Sequence, residues 1–290
     1  MSIIDRTLRP AAEEAPPALV REISREVARA KQRRAQVLIG RVGLILLIVA
    51  AWQIFSGKPG EPGVLIDSFY ISRPSDIVEA LSRWVADGIL LTNIAATMQV
   101  TLIGFTIGAG LGLVVGFALG VNPFLSAVVS PIIAALYAIP RLALIPLFLL
   151  WFGLGIGSKL ALVITVVFFL VFYNTHEGVR DVDRGLIDVM RVMKASKWQI
   201  YRAVTLPSAM TWIIAGLRIS VPYALVATVT AEMMASNSGM GYLIIRASGQ
   251  FYTAGVFAGI LVIMVFALLL GAIVSFAEKR LLRWKPDRLT

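Results

Sequence analysis

The amino-acid sequence predicts an all-α, polytopic membrane protein with six transmembrane helices. Of its 290 residues 58% are hydrophobic and only 15% are charged, and the mean hydropathy is +0.82. Such values are typical of chains that cross a membrane several times. Most of the 27 lysines and arginines fall in three segments: one ends at Arg41, one extends from Arg180 to Arg202, and one begins at Lys279. Because basic residues favour the cytoplasmic side, both termini and the middle segment are predicted to be cytoplasmic, which requires an even number of spans.

The composition excludes several kinds of chemistry. The chain has no cysteine and only one histidine, His176, so disulfides, thiol chemistry and histidine-based metal sites are not expected. We interpret His176 as an interfacial loop residue rather than a proton relay. The net charge of +10 arises mainly in three segments at the ends and in one loop of the chain, so nucleic acid is not an expected partner. No paired carboxylates and no nucleophile with a base lie in or beside the spans, so no catalytic residues are predicted.

The N-terminal part begins with a polar tail over residues 1–36. Its basic helix, from Leu19 to Gln36, is predicted to lie on anionic lipid headgroups, and no cleaved signal peptide is expected. The first span is predicted from Val37 to Phe55, and a Gly/Pro-rich stretch over 56–63 ends it. Apolar residues at helical spacing from Pro74 to Val85 indicate an amphipathic helix on the outer surface.

The second span, predicted from Ile94 to Val121, carries the clearest spacing in the sequence. A glycine recurs every four residues, at Gly104, Gly108, Gly112, Gly116 and Gly120. Glycines at this spacing leave one helix face without side chains, so another helix can approach it closely. The pattern therefore predicts tight helix packing and no chemistry.

The third span, predicted from Leu125 to Phe152, contains three prolines, Pro131, Pro140 and Pro146. Prolines leave carbonyl groups without a donor and break the helix, which a membrane tolerates only where protein or a water-filled cavity satisfies them. Arg141 directly follows one of these breaks. An arginine within a span costs about 3 kcal/mol or more unless it is paired or hydrated. Arg141 therefore either belongs to a functional site or caps the broken helix or reaches the nearer interface.

Three further spans complete the prediction. They are expected from Leu160 to Tyr173 with helical continuation to about residue 180, from Ser208 to Met234, and from Gly255 to Ala277. The fifth span contains Arg218 and, near its outer end, Glu232 beside Met233. Glu232 is interpreted either as a gate or path residue or as an interfacial carboxylate that caps the following turn. A path flanked by Arg141 and Arg218 favours an anion over a cation.

The loop over residues 173–207 is a long charged insert in an otherwise apolar chain. Leu186, Val189, Met190 and Met193 recur at spacings of three and four, which predicts a short amphipathic helix. Ser196 and Gln199 fit a capping box that opens a second short helix, with apolar surface from residues such as Trp198, until Pro207. Two short helices with exposed apolar faces indicate a docking surface for another protein.

This loop resembles the "EAA" loop of permease subunits of bacterial ABC importers, whose pattern is Glu-Ala-Ala, three residues, Gly, nine residues, then Ile-x-Leu-Pro. Here Asp188-Val-Met190 holds the Glu-Ala-Ala positions, Lys194 the Gly position and Val204 the Ile position. The similarity extends from about residue 75 to 280 and resembles the nitrate, sulfonate and taurine branch of the family. It implies that the loop couples to an ATPase through Gly185, Leu186, Asp188, Met190, Met193, Lys194, Ala195, Ser196, Trp198, Val204, Leu206 and Pro207.

The resemblance implies a type I, MetI-like importer architecture in the bacterial inner membrane. The permease domain is expected over 37–277, with a cytoplasmic C-terminal tail over 278–290. The implied partners are a second permease copy, in a homodimer, two ABC ATPase subunits, a periplasmic or lipid-anchored substrate-binding protein, and membrane lipid. The ATPase subunits bind ATP, so this chain needs no cofactor of its own. Related permeases move small anions such as sulfonates, taurine or nitrate, and some relatives move pyrimidines or aromatic acids. The path candidates here are Arg141, Arg218, Glu232 and Met233.

Two alternatives and one departure remain at this point. An ion-coupled secondary transporter or a channel is disfavoured because no Asp or Glu lies between Gly88 and His176. A membrane-embedded enzyme is disfavoured because its catalytic groups are missing. Lys194 departs from the family pattern, since a glycine at this position permits a tight turn. Either the turn has moved or the first short helix is longer.

Overall fold

The structure, a computed structural model, describes residues 17–57, 61 and 64–281. It divides into two units, of which the first ends at Ser68 and the second begins at Phe69. In the first unit, α1 (Pro17–Phe55) joins the predicted basic helix and first span without a break. Two short parallel strands follow, β1 (Ser56–Gly57) and β2 (Ile66–Asp67), with Ser56 opposite Ile66. Residues 1–16 of the N-terminal tail and 282–290 of the C-terminal tail lie outside the described residues.

In the described part of the second unit the regular elements are helices, joined by short turns. Its elements are α2 (Pro74–Ala86), α3 (Ile89–Val121), α4 (Pro123–Tyr137), a 3-10 turn (Arg141–Leu144), α5 (Ile145–Phe152), α6 (Ile156–Arg180), α7 (Arg184–Val192), α8 (Lys197–Ile200), a π turn (Tyr201–Thr205), α9 (Leu206–Ala235), α10 (Met240–Gly249) and α11 (Thr253–Leu281). We call the end of this bundle at which α7 lies the loop end, and the opposite end the far end.

The described residues contain six candidate spans, which confirms the predicted number. Five helices are long and apolar enough to cross a membrane, and the pair formed by α4 and the segment Arg141–Phe152, bent by 81°, makes the sixth. The prolines of the third span explain this bend, because the chain leaves the helical path at Ala138–Pro140. The fourth span extends well beyond Tyr173, since α6 ends only at Arg180.

Helix α3 packs against α6 along the predicted glycine ridge. A Cβ atom added at Gly108, Gly112 or Gly116 would lie only 2.7 to 2.8 Å from a backbone oxygen of α6. At Gly104 and Gly120 it would meet the side chains of Val163 and Val179 at 2.6 to 2.7 Å. The two backbones therefore approach as closely as the spacing of the glycines predicts.

Helix α6 is the centre of the bundle because it also packs against α9. Gly178 faces Trp212 and Gly216 faces Asn174, again too closely for an added Cβ atom. Leu162, Val163, Val167 and Val171 of α6 are fully buried. The three helices α3, α6 and α9 therefore form a closely packed unit that fixes the positions of the polar groups at both ends.

Candidate coupling surface and transport path

Helix α7 projects from the loop end with its N-terminus capped. The Asp183 carboxylate accepts a hydrogen bond from Gly185 N at 2.8 Å, and Val182 beside it is buried. On the helix surface, Arg191 donates to Asp188 at 3.0 Å, an exposed pair three residues apart. These contacts hold the short helix in place although none of its own residues is buried.

Large apolar side chains are exposed on and after α7. Their exposed fractions lie between 51% and 84%, and we call these five residues the coupling surface: Leu186, Val189, Val192, Met193 and Trp198. Met190, predicted on the same face, is half-buried and is therefore not part of this surface. An apolar cluster of this kind on a charged loop marks an interaction site.

Lys194 forms the turn between α7 and α8 without displacing it. Its φ angle is +55°, in the left-handed region where glycine is normally found. Ala195 N donates to Met190 O at 3.0 Å and Lys194 N donates to Arg191 O at 2.9 Å, which is the bonding pattern of a Schellman cap. Both predicted outcomes are therefore wrong: the turn has not moved and the helix is not longer. Instead, Lys194 itself adopts the left-handed backbone conformation.

The capping box at Ser196 and Gln199 is present as predicted. Ser196 Oγ accepts from Gln199 N at 3.3 Å, and Gln199 Oε1 accepts from Ser196 N at 2.7 Å. The second short helix does not end at Pro207, which corrects that prediction. A π turn precedes the proline, with Leu206 N bonded to Tyr201 O, so the chain continues into α9. A proline lacks an N–H donor, and the wider turn changes the hydrogen-bond register just before it.

The second short helix of the loop is thus directly continuous with a transmembrane helix. Residues Lys197–Ala235 form one helical segment of 39 residues. Val204 and Pro207 are half-buried in it, whereas Leu206 is exposed. Trp212 Nε1 donates to Asp181 at 3.1 Å, and the ring of Tyr201 meets that of Phe117 edge-on, 6.2 Å between centroids. Contacts to α3 and to the end of α6 therefore hold the base of this segment.

At the far end, Glu232 is fully buried in a polar cluster. Both carboxylate oxygens lie 2.9 Å from Thr97 Oγ1, and Gly241 N donates to Glu232 Oε2 at 3.0 Å. Thr97 Oγ1 also accepts from Met240 N at 2.8 Å, and Asn93 Oδ1 accepts from Gly239 N at 2.7 Å. We call Asn93, Thr97, Glu232 and the turn 239–241 the far-end polar cluster.

The far-end polar cluster receives the N-terminus of α10, where amide groups that have no partner within the helix favour an anion. Gly239 has a φ angle of +106°, and a Cβ atom added there would lie within 2.4 Å of the Glu232 carboxyl group. Glu232 does cap the following turn, but it is buried and not interfacial. Its neighbour Met233 is 36% exposed and takes no part in the cluster.

The sequence interpretation missed the partners of Glu232. Asn93 and Thr97, with Thr101 a further turn along α3, recur every four residues and share one helix face, a signal that the glycine spacing obscured. Lys159 was also missed: it is buried and donates to Ser236 Oγ at 3.0 Å. Ser236 Oγ in turn donates to Ser238 O, which stabilises the turn before α10.

The two arginines predicted to flank a path lie in different places. Arg218 is exposed and pairs with Glu278 of α11 at 3.2 Å, so its charge is already neutralised. Arg141 is half-buried beside the break in the third span, where its guanidinium group lies 4.3 Å from the centroid of the Tyr137 ring. The structure does not bring the two arginines together.

His176 is not an interfacial loop residue, which corrects that prediction. It lies within α6, is 4% exposed, and its Nε2 atom is 2.9 Å from Ser126 Oγ of α4. Its ring stacks on Phe172, with 5.6 Å between centroids. The predicted helical continuation to about residue 180 is present, but the fall in hydropathy after Tyr173 placed His176 at an interface instead of in the packed bundle.

The model of the family described as "Binding-protein-dependent transport system inner membrane component" matches residues 108–283, from the middle of α3 to the end of α11.

The chain belongs to this family of permeases.

Two relatives and one solved structure agree with the assignment. The permease is 36% identical over 245 residues to the putative aliphatic sulfonates transport permease protein SsuC of Bacillus subtilis, covering 84% of this chain and 87% of the relative. It is 31% identical over 244 residues to the formylaminopyrimidine transport permease protein ThiX of Halalkalibacterium halodurans, covering 84% and 94%. The fold matches the MetNI methionine ABC transporter in an inward-facing form, with TM-score 0.58, 20% identity, and coverage of 68% of this chain and 96% of that one.

The protein is therefore a multi-pass inner-membrane permease subunit of an ABC importer with the MetI-like fold. Such a subunit works together with ATPase subunits and a binding protein. Membership of this family favours an ABC permease over the alternative of an ion-coupled carrier or a channel, which the lack of acidic residues between Gly88 and His176 already disfavoured.

Proposed function

We propose that this permease imports a small organic anion of the sulfonate kind, driven by ATPase subunits that dock on the coupling surface. The observation that carries the proposal is the set of five exposed apolar side chains on and after α7, the last of which, Trp198, lies in the helical segment Lys197–Ala235 that includes α9. A partner that binds this surface contacts the helical segment that crosses the membrane, so its movement can be transmitted to that helix. ATP hydrolysis then resides in the partner, and this chain performs no catalysis.

The proposed substrate class rests on two lines of support. The relative SsuC is named for the transport of aliphatic sulfonates. The described part of the chain carries an arginine within the third span, and the region from Ile89 to Thr175 has no acidic residue, so the local field favours an anion. The relative ThiX is named for a formylaminopyrimidine, and that compound is the natural competitor in a transport assay.

The proposed topology places the loop end in the cytoplasm. The basic segments at both chain ends and in the loop support this orientation. The tail over 1–36 and the tail over 278–290 are then cytoplasmic, the permease domain occupies 37–277, and the far-end polar cluster faces the periplasm, where the binding protein docks.

The functional unit is proposed to be a homodimer of permeases. The non-helical residues Ala138, Ile139 and Pro140 are exposed in the single chain although they lie within a span. Irregular backbone inside a membrane must be covered by protein or face water. A second copy provides such cover and encloses a path between the subunits.

The proposal is tested by transport in proteoliposomes that contain the permease, its ATPase subunits and its binding protein. We expect ATP-dependent uptake of labelled ethanesulfonate or taurine in preference to a formylaminopyrimidine. Val189→Glu and Met193→Glu should lower coupled uptake at least tenfold, because a charge on the coupling surface opposes docking. Val85→Glu, at a similarly exposed valine of α2, is the matched control and should retain uptake. Unchanged uptake in both loop variants would refute the role of the coupling surface.

A further inference from the structure

An aromatic and cationic cluster surrounds the break in the third span. Arg141 lies 4.3 Å from the centroid of the Tyr137 ring and 5.6 Å from that of Phe169. The rings of Tyr137 and Tyr173 meet at 4.8 Å between centroids, and those of Tyr137 and Phe169 at 5.7 Å. The four residues thus combine one guanidinium group and two phenol groups in one place.

This cluster lies about halfway along α6, one of the candidate spans. Phe169 is 13 residues after the first residue of α6 and 11 before its last. At a rise of about 1.5 Å per residue, these distances are about 20 Å and about 17 Å. Arg141 lies over that ring, so it is too deep in the bundle for the guanidinium group to reach an interface easily.

The charge of Arg141 has no acidic partner within the described part of the chain. No carboxylate oxygen there lies within 4.0 Å of it, and its one hydrogen bond runs from Nη2 to Tyr137 O at a long 3.5 Å. Its Nε atom is buried without an acceptor. Aromatic faces stabilise a cation by about 0.5 to 2 kcal/mol, which is less than the cost of an arginine in a membrane.

Two other cations of the helical bundle, Lys159 and Arg218, differ in this respect. Lys159 donates to Ser236 Oγ at 3.0 Å, and Arg218 is paired with Glu278. Neither phenol hydroxyl of Tyr137 or Tyr173 makes a hydrogen bond to any described residue. The cluster therefore offers guanidinium N–H and phenol O–H donors without an acceptor, and an anion is the group that accepts from both.

The backbone beside the cluster indicates that an anion can reach it. Ala138, Ile139 and Pro140 are exposed, and Tyr137 is 39% exposed. Non-helical backbone at this depth is stable only against protein or against water. A water-filled path that passes the break satisfies both the free carbonyl groups and the arginine.

We propose that Arg141, Tyr137 and Tyr173 form a binding site for a small sulfonate or carboxylate anion halfway across the membrane. The guanidinium group holds the anion through paired N–H donors, and the two phenol hydroxyls donate to its remaining oxygens. The site rests on the proposed function, because the cargo is taken to be an anion. It adds the residues that hold this cargo between the two sides.

The experiment uses the complex of permease and ATPase subunits in nanodiscs without the binding protein, so that binding to the membrane site is measured directly. Saturation-transfer NMR follows ethanesulfonate as the probe. Arg141→Gln should raise the half-saturating concentration at least tenfold, and Tyr173→Phe about threefold to tenfold. Arg141→Lys should recover part of the binding, because it restores the charge without the paired donors. Arg83→Gln, at an exposed arginine of α2 outside the proposed site, is the control and should bind like the unchanged complex.

The outcomes separate this inference from the proposed function. If the complete system takes up ethanesulfonate in proteoliposomes but Arg141→Gln and Tyr173→Phe bind it like the unchanged complex in nanodiscs, the site is refuted and the proposed substrate class stands. If the complete system moves a formylaminopyrimidine and no sulfonate, the substrate class fails first and the site with it. Should Arg141→Gln not assemble with the ATPase subunits, Tyr137→Phe and Tyr173→Phe decide the question. Loss of binding in these variants supports the site, and unchanged binding overturns it.

Discussion

Replacing Glu232 by glutamine tests whether its negative charge holds the start of α10. The carboxylate accepts from Thr97 Oγ1 at 2.9 Å and from Gly241 N at 3.0 Å. Glutamine has only one oxygen, so it keeps one of these bonds and turns an NH2 group toward the other donor. A buried hydrogen bond to a charged group contributes about 1.5 to 3 kcal/mol. We expect Glu232→Gln to lower the free energy of local opening of the turn 239–241 by about 2 to 3 kcal/mol.

Amide hydrogen exchange of residues 239–243 measures this opening directly. A loss of about 2 to 3 kcal/mol corresponds to exchange that is about 30 to 150 times faster. Glu79→Gln is the control, since this carboxylate of α2 is 65% exposed and pairs only loosely with Arg83, at 3.6 Å. Exchange that changes less than threefold in Glu232→Gln would show that the packing of the turn, and not the charge, holds α10.

Two further predictions concern backbone geometry. Gly112→Leu should lower the thermal stability of the permease in detergent by several degrees, because the added Cβ alone would lie 2.7 Å from Phe168 O, whereas Gly110→Leu, with open space around it, should have little effect. Lys194→Gly should stabilise the turn after α7 by about 1 kcal/mol, because glycine adopts the left-handed conformation without strain. Slower proteolysis within residues 184–196 would confirm this, and faster proteolysis would contradict it.

The number of spans and the close packing of α3 could be predicted from the sequence because both depend on local composition. Basic segments and apolar stretches determine how often the chain crosses the membrane, and glycines every four residues mark a packing face regardless of which helix fills it. The capping box at Ser196 was predictable for the same reason, since both partners lie within one turn. Each of these features is encoded within a few residues.

The errors arose where residues far apart in sequence meet. Glu232 is buried because Thr97, 135 positions earlier, provides its partner, and no spacing within span five indicates this. His176 is assigned to an interface because hydropathy declines after Tyr173, but it is buried against Ser126, which lies 50 positions earlier. At Pro207 the local rule predicts a helix end, but a π turn carries the helix past the proline.

The long helical segment from Lys197 to Ala235 also acts as a lever. Its 39 residues correspond to about 58 Å, so a tilt of about 10° around its inner end displaces the opposite end by about 10 Å. Trp198, near the first residue of the lever, belongs to the coupling surface, while Glu232 lies three residues before its last. If an ATPase docks on the coupling surface as proposed, small rotations imposed at one membrane face would be amplified at the other, and the π turn at Tyr201–Thr205 is the position at which we expect this segment to pivot.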